Sequence, residues 1–145
     1  MDEKRVKRYK EKLDLIEMRI SQIKEWTNNF NEEDFDRNEL VKLATYKAFQ
    51  EIVEGSMDVI AMLCKDNGIP PRDDYSNIEA LLKKKIIDDE LSKIMIEGNG
   101  LRNRIVHKYN KLDDKKAFIE IIESLPEFER FIEVVENWIE KQLKK

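Results

Sequence analysis

Two residue types that build many active sites are almost missing from this chain. Its 145 residues include one cysteine, Cys64, and one histidine, His107. A single cysteine cannot form a disulfide within the chain or supply a cysteine-based zinc site, and a single histidine cannot form a histidine-rich metal site. Acidic residues are numerous, but they are distributed as solvated helix faces. We therefore expect no bound metal and no cofactor, and we interpret Cys64 as a small buried apolar residue.

Helix breakers and long apolar runs are also scarce. The chain has 4 Gly and 3 Pro, whereas 40% of its residues are charged and 41% are hydrophobic. This composition favours helices. No apolar stretch approaches the ~20 residues that a membrane span requires, and residues 1–12 have no signal-peptide core. We expect a cytoplasmic protein that has no membrane partner.

The net charge of −4 argues against a protein that coats nucleic acid through its overall field. A local basic cleft remains compatible with that charge, because the basic residues are clustered. One cluster, residues 83–85, is interpreted as a solvated helix face. The other surrounds His107 and consists of Arg102, Arg104, Lys108 and Lys111.

Apolar periodicity predicts two long helices in the first half of the chain. In the first, one narrow stripe repeats every three or four residues, and it consists of Val6, Tyr9, Leu13, Ile16, Ile20 and Ile23. Residues 32–36 are predicted to be a connection. The second helix, about residues 38–65, is apolar over much of its circumference and must therefore be buried on more than one side. We expect a second subunit to cover the additional face.

Capping residues and helix breakers divide the second half of the chain. Ser76 and Glu79 have the spacing of a capping box, which predicts a short third helix through Lys85. Asp88 or Asp89 can cap a fourth helix, from Glu90 towards His107, in which residues 98–100 (Gly-Asn-Gly) predict a kink, a bulge or a new start.

The last helical region is predicted to begin at Asp113 or Asp114 and to reach Lys141, with a break or bend at Pro126. No segment alternates convincingly enough for a strand, and the chain contains no internal repeat. We therefore predict an all-α antiparallel bundle of four to five helices, forming a single domain over residues 1–145.

The segment around the histidine carries the residues best suited to chemistry. Asn103 and His107 are four residues apart, so they share a face of a helix, and Arg102 lies at the edge of that face. An imidazole transfers protons near neutral pH, and a guanidinium binds phosphate through two hydrogen bonds. With Arg104 and Lys108 as additional phosphate contacts, these residues could cleave a phosphodiester without a metal.

RNA supplies its own nucleophile, the 2′-hydroxyl group, but its cleavage requires one proton to be removed and another to be delivered. A twofold dimer would provide the second histidine, in agreement with the apolar excess of the second helix. The spacing alone leaves a structural interpretation open, because Arg102 and His107 are five residues apart and such pairs also occur by chance.

Residues 102–109, Arg-Asn-Arg-Ile-Val-His-Lys-Tyr, resemble the signature of HEPN-domain proteins, most closely the HepT branch. Residues 46–60 resemble the long second helix of that family, and residues 74–88 resemble its middle segment. The likeness covers about residues 38–138. It departs from the family pattern at residues 96–101, where an aromatic or methionine-rich lead-in is common, and at Lys108, where an acidic residue is common.

The resemblance implies a metal-independent ribonuclease toxin that works as a homodimer, with RNA as its substrate. Arg102 and His107 would be catalytic, with Asn103 supporting them. A partner nucleotidyltransferase of the MntA type would neutralise the toxin by transferring AMP to Tyr109. The alternative is a non-catalytic subunit that binds nucleotide or substrate for a minimal nucleotidyltransferase.

Overall fold

The computed structural model describes residues 1–107 and 112–145, and this part of the chain contains six α-helices and no strand. The helices are α1 (Glu3–Trp26), α2 (Glu32–Arg37), α3 (Glu39–Asp66), α4 (Asp74–Lys83), α5 (Asp89–His107) and α6 (Asp114–Leu143). The all-α prediction is confirmed. None of these helices is both long and apolar enough to cross a bilayer.

The sixth helix is α2, in the segment that we predicted to be a connection. Asn31 and Asp34 form a reciprocal capping box: each side chain accepts a hydrogen bond from the other's backbone N–H, at 2.9 and 3.0 Å. Phe35 is fully buried and stacks on Phe118 of α6, with ring centroids 4.7 Å apart. Capping and one aromatic anchor therefore stabilise a helix too short to show apolar periodicity.

Side-chain pairs show that the four long helices run antiparallel to their neighbours. The start of α1 is joined to the end of α3 by Arg5 and Asp66, and the two helices pair again through Arg19 and Glu51. Helices α5 and α6 are also antiparallel. Arg104 near the end of α5 pairs with Glu120 near the start of α6, and Asp88, just before α5, pairs with Arg130 in the second half of α6. Tyr9 of α1 packs against Trp138 near the end of α6. The result is a bundle in the order α1, α3, α5, α6, with α4 packed against α3 and α5.

The predicted stripe of α1 faces the core, with only Val6 partly exposed. Helix α3 begins close to the predicted start, with Asn38 as its N-cap: Asn38 Oδ1 accepts a hydrogen bond from the Val41 N–H at 3.0 Å. Its broad apolar surface is mostly covered by α1, α2, α4 and α5 of the same chain. Leu40 and Leu43 remain 79% and 51% exposed, so they are what is left of the face expected to meet a second subunit.

The prediction that Ser76 opens α4 is wrong. The helix begins at Asp74, because Asp73 is the N-cap and its carboxylate accepts a hydrogen bond from the Ser76 N–H at 2.9 Å. The helix also ends before Lys85, which adopts a left-handed backbone conformation (φ 60°). The following residue, Ile86, closes the turn by donating its N–H to the Leu81 carbonyl at 3.0 Å. This is the hydrogen-bonding pattern of a Schellman cap.

A new start at residues 98–100 is wrong, because α5 is one continuous helix after the predicted cap, Asp88, whereas the alternatives, a kink or a bulge, stay predictions. Gly98 is buried between α3 and α6, where an added Cβ would lie 3.1 Å from Phe128 Cζ. The glycine thus permits close helix packing that offsets its low helix propensity. Gly100 has open space around its Cα, so it costs propensity without breaking the helix.

Helix α6 begins after Asp113, as predicted, and it continues through Pro126, so a break there is wrong, whereas the alternative, a bend, stays a prediction. The proline removes one backbone donor, but apolar burial runs through it on one side of the helix. Ile121, Leu125 and Phe128 are all buried on either side of Pro126. Packing against the rest of the bundle therefore maintains a helix that local propensity would interrupt.

Candidate active site

Arg102, Asn103 and His107 lie in the last two turns of α5. His107 is the last residue of the helix and is exposed, whereas Arg102 and Asn103 are partly buried. The opposite face of this segment packs against the core, because Leu101 and Ile105 are buried. The candidate imidazole is therefore open to solvent at the end of a helix whose opposite face is packed.

Arg102 is held in place by two neighbours. Its Nε donates a hydrogen bond to Glu54 Oε2 at 3.2 Å, and its Nη2 donates to the same oxygen. Its Nη1 donates to Asn103 Oδ1 at 2.8 Å. Asn103 thus contacts Arg102 directly, whereas the supporting role that the resemblance implied for it stays a prediction.

Glu54 is the site residue that our reading of the sequence missed. Burial raises the pKa of its carboxyl group, but hydrogen bonds from Arg102 and Gln50 outweigh that effect and leave the pKa below its ordinary value. Gln50 Nε2 donates to Glu54 Oε2 at 3.2 Å. The carboxylate is therefore ionised at neutral pH, and one polar chain leads from Gln50 on α3 through Glu54 and Arg102 to Asn103 on α5.

Arg104 does not join this cluster. Its Nη2 lies 3.2 Å from Glu120 Oε2 of α6, and both side chains are more than half exposed. The predicted phosphate contact thus already has a carboxylate partner on another face of α5. Two further predicted residues, Lys108 and Tyr109, lie outside the described residues.

A second polar cluster holds the start of α6 against α3. Lys42 Nζ lies 3.2 Å from Asp114 Oδ2, and the Tyr46 hydroxyl donates a hydrogen bond to Asp114 Oδ1. Burial lowers the pKa of Lys42, but the carboxylates of Asp114, Glu39 and Asp36 outweigh this effect and leave the pKa above its ordinary value. The ammonium therefore stays charged. The helix after the motif is thus anchored to the same α3 that carries Glu54.

The described residues contain no group of three His, Cys, Asp or Glu side chains arranged to hold a metal ion. They do provide a fixed cation at Arg102 and an exposed imidazole at His107, on one helix and about 7.5 Å apart along its axis. A cation can stabilise a phosphorane, and an imidazole can transfer a proton. The arrangement is therefore suited to phosphodiester chemistry.

A family model described as "HepT-like: Ribonuclease HepT-like" matches residues 16–135. The chain belongs to this family. The resemblance inferred from residues 102–109 is thereby confirmed, and the prediction of a ribonuclease is confirmed at the level of the family.

Two curated relatives agree with the assignment to the HepT-like family. One is a putative RNase of Archaeoglobus fulgidus, 39% identical over 113 residues, which cover 78% of this chain and 80% of the relative. The other is the tRNA nuclease HepT of Aphanizomenon flos-aquae, 24% identical over 131 residues, which cover 88% of this chain and 87% of the relative.

A solved structure shows the same fold. It is the tri-AMPylated HEPN toxin of Shewanella oneidensis in complex with MNT antitoxin, with a TM-score of 0.82 and 20% sequence identity. The superposition covers 94% of the HepT-like chain and 99% of that toxin. The bundle is therefore HEPN-like, as predicted from the sequence.

Proposed function

We propose that this HepT-like protein is a metal-independent endoribonuclease toxin of a cytoplasmic toxin–antitoxin pair, acting in a cleft between two copies of the chain. The observation that carries the proposal is the arrangement at the end of α5. There Glu54 and Asn103 hold the Arg102 guanidinium, and His107 is exposed on the same helix. The family assignment supplies the reaction class.

In the proposed reaction, His107 of one subunit removes the proton from a ribose 2′-hydroxyl group. The 2′-oxygen attacks the adjacent phosphorus and the bond to the 5′-oxygen breaks, giving a 2′,3′-cyclic phosphate. The partner subunit's His107 donates a proton to the departing 5′-oxygen. Arg102 stabilises the negative charge that builds on the phosphorane, which is the role of a preorganised cation in such a transition state.

The proposed dimer is supported by chemistry and by exposed apolar side chains. One histidine per chain cannot perform both proton transfers at once. Leu43 and Glu54 differ by eleven residues, three turns of α3, so the exposed Leu43 lies on the same stripe as the residue that holds Arg102. Val106 is 40% exposed on α5 between Arg102 and His107. Apolar surface around an active site favours a covering partner.

The proposed antitoxin is an MntA-like nucleotidyltransferase that transfers AMP to Tyr109. Support comes from the sequence, in which Tyr109 occupies the tyrosine position of the family signature. It also comes from the similar Shewanella oneidensis toxin, which is AMPylated and bound to MNT antitoxin. Each phosphate added at Tyr109 would bring negative charge to a position two residues after His107 in the sequence and would compete with RNA phosphate for the basic residues of the motif.

Cleavage of RNA in excess EDTA tests the proposed activity. We expect the purified protein to cut tRNA and a single-stranded oligoribonucleotide and to leave 2′,3′-cyclic phosphate ends detectable by mass spectrometry. The 2′-O-methyl form of the same oligonucleotide should stay intact, because its nucleophile is blocked. Binding of nucleotide without any RNA cleavage would instead support the non-catalytic subunit, and loss of activity in EDTA would refute metal independence.

Mass spectrometry of the protein after co-expression with a nucleotidyltransferase tests the proposed modification. We expect peptides containing Tyr109 to gain one or more AMP groups and the modified protein to lose RNA cleavage. Tyr109→Phe should remain unmodified there and should stay active in the presence of the transferase. An adduct found only on another residue would refute the role of Tyr109.

A further inference from the structure

We propose that Glu54 is a positioning residue for the candidate catalytic arginine, and this inference rests on the proposed ribonuclease function. Glu54 holds one edge of the Arg102 guanidinium, so that the remaining N–H groups are directed at the RNA phosphate. Glu54 belongs to α3, 48 residues before Arg102, and it lies outside the signature segment.

The donor inventory of Arg102 supports this role. A guanidinium has five N–H groups in one plane. Glu54 Oε2 accepts from Nε and Nη2, which form one edge, and Asn103 Oδ1 accepts from Nη1. One N–H of Nη1 and one of Nη2 are left without a hydrogen bond to any described residue. Two donors on neighbouring nitrogens are thus available to a phosphate, which arginine binds by charge-assisted hydrogen bonds.

The acceptor is itself held in position. Glu54 and Gln50 are one helical turn apart on α3, and Gln50 Nε2 donates to the same Oε2 atom. That oxygen thus receives three hydrogen bonds, two from Arg102 and one from Gln50. A carboxylate fixed on both sides restricts the rotamers of Arg102 more than a free surface glutamate would.

Glu54 has a second, opposing effect on substrate. Its negative charge lies against the cation that is to bind RNA phosphate, so it weakens the attraction of Arg102 for that phosphate. Removing the carboxylate should therefore strengthen RNA binding. The same change releases the guanidinium from its alignment, and a misplaced catalytic group slows the reaction. A positioning role thus predicts tighter binding together with slower cleavage.

A matched control exists on the same helix. Glu51 accepts a hydrogen bond from Arg19 of α1 at 2.8 Å, with side-chain exposures of 26% and 27%. The corresponding values are 39% for Glu54 and 26% for Arg102. Both glutamates join α3 to a neighbouring long helix, but only Glu54 contacts a candidate catalytic residue. Glu51→Ala therefore reproduces the loss of one charge and one interhelical ion pair.

The experiment compares Glu54→Ala, Glu54→Gln and Glu51→Ala in the dimer. The parameters are kcat and KM for an oligoribonucleotide and the Kd for its 2′-O-methyl form, measured by fluorescence anisotropy. We expect Glu54→Ala to lower kcat about 10- to 100-fold and to tighten binding several-fold. Glu54→Gln keeps an acceptor oxygen and should retain more of kcat. Glu51→Ala should leave kcat and Kd at the wild-type values.

Unchanged kcat in Glu54→Ala would overturn the inference, and so would a fall in kcat without tighter binding, which is the result of a smaller folded fraction alone. If the wild-type protein cleaves no RNA, the proposed function fails, and the 2′-O-methyl oligonucleotide still tests Glu54. Tighter binding by Glu54→Ala, but not by Glu51→Ala, would then support an oriented phosphate-binding arginine. Equal affinities of the wild type and Glu54→Ala for this oligonucleotide would refute the positioning role of Glu54.

Discussion

His107→Ala is expected to lower the rate of RNA cleavage about 10²- to 10⁴-fold, the usual contribution of a general acid or base. In the proposed dimer the same residue serves as base in one subunit and as acid in the other, so one substitution removes both proton transfers. Cleavage rates of a labelled oligoribonucleotide measure the effect, and expression of the variant in cells should no longer arrest growth.

The fold should not change in this variant, because His107 is exposed at the last position of α5. Circular dichroism and gel filtration of His107→Ala should match the wild type. Lys93→Ala, an exposed substitution on the same helix outside the site, should keep full activity. A His107→Ala protein that still cleaves RNA or stays toxic would remove the histidine from the mechanism.

Phe128→Ala is expected to lower the free energy of unfolding by about 3–5 kcal/mol, as is typical when a buried phenylalanine is truncated. Phe128 is fully buried, packs edge-to-face on Phe49 of α3 with ring centroids 6.1 Å apart, and lies directly under Gly98 of α5. Its removal leaves a cavity where three long helices meet. Urea denaturation measures the loss, and Tm should fall by roughly 10 °C or more.

Ile119→Ala is the control on the same helix. Its side chain is 38% exposed, so truncation should cost less than about 1 kcal/mol. RNA cleavage by Phe128→Ala should decline at temperatures where the control is still folded, because the Phe128 side chain supports α5, the helix that carries the motif. Equal stabilities for the two variants would show that Phe128 is not the contact that holds α5 to α6.

The sequence predicted those helices that are marked by a regular apolar stripe or by capping residues. The stripe from Tyr9 to Ile23 and the caps at Asp88 and Asp113 all occur in the structure. The errors arise where tertiary packing overrides propensity. Gly98 fits against Phe128, and Pro126 lies in a helix with buried residues on both sides, so neither breaks its helix.

The candidate site could be predicted only where its residues are close in sequence. Arg102, Asn103 and His107 belong to one short segment, so their helical spacing and family signature are visible in the chain. Glu54 is brought to Arg102 by the antiparallel packing of α3 and α5, and no local pattern marks it. A charged residue on an otherwise largely apolar helix was the one signal available, and Glu54 shares it with several others, among them Lys47, Glu51 and Asp58.

Helix α6 follows the motif helix in the chain, and it contributes Phe128 to the core beneath α5 and Glu120 to the pair with Arg104. A nascent chain that has emerged from the ribosome only as far as His107 already contains Arg102 and Asn103, but its motif helix lacks the part of its packing that α6 supplies. Domains generally fold as units as they are made. The motif helix thus gains its full packing only once the thirty residues of α6 have also been made, so we expect a nascent chain that stops at His107 to lack a stable candidate site.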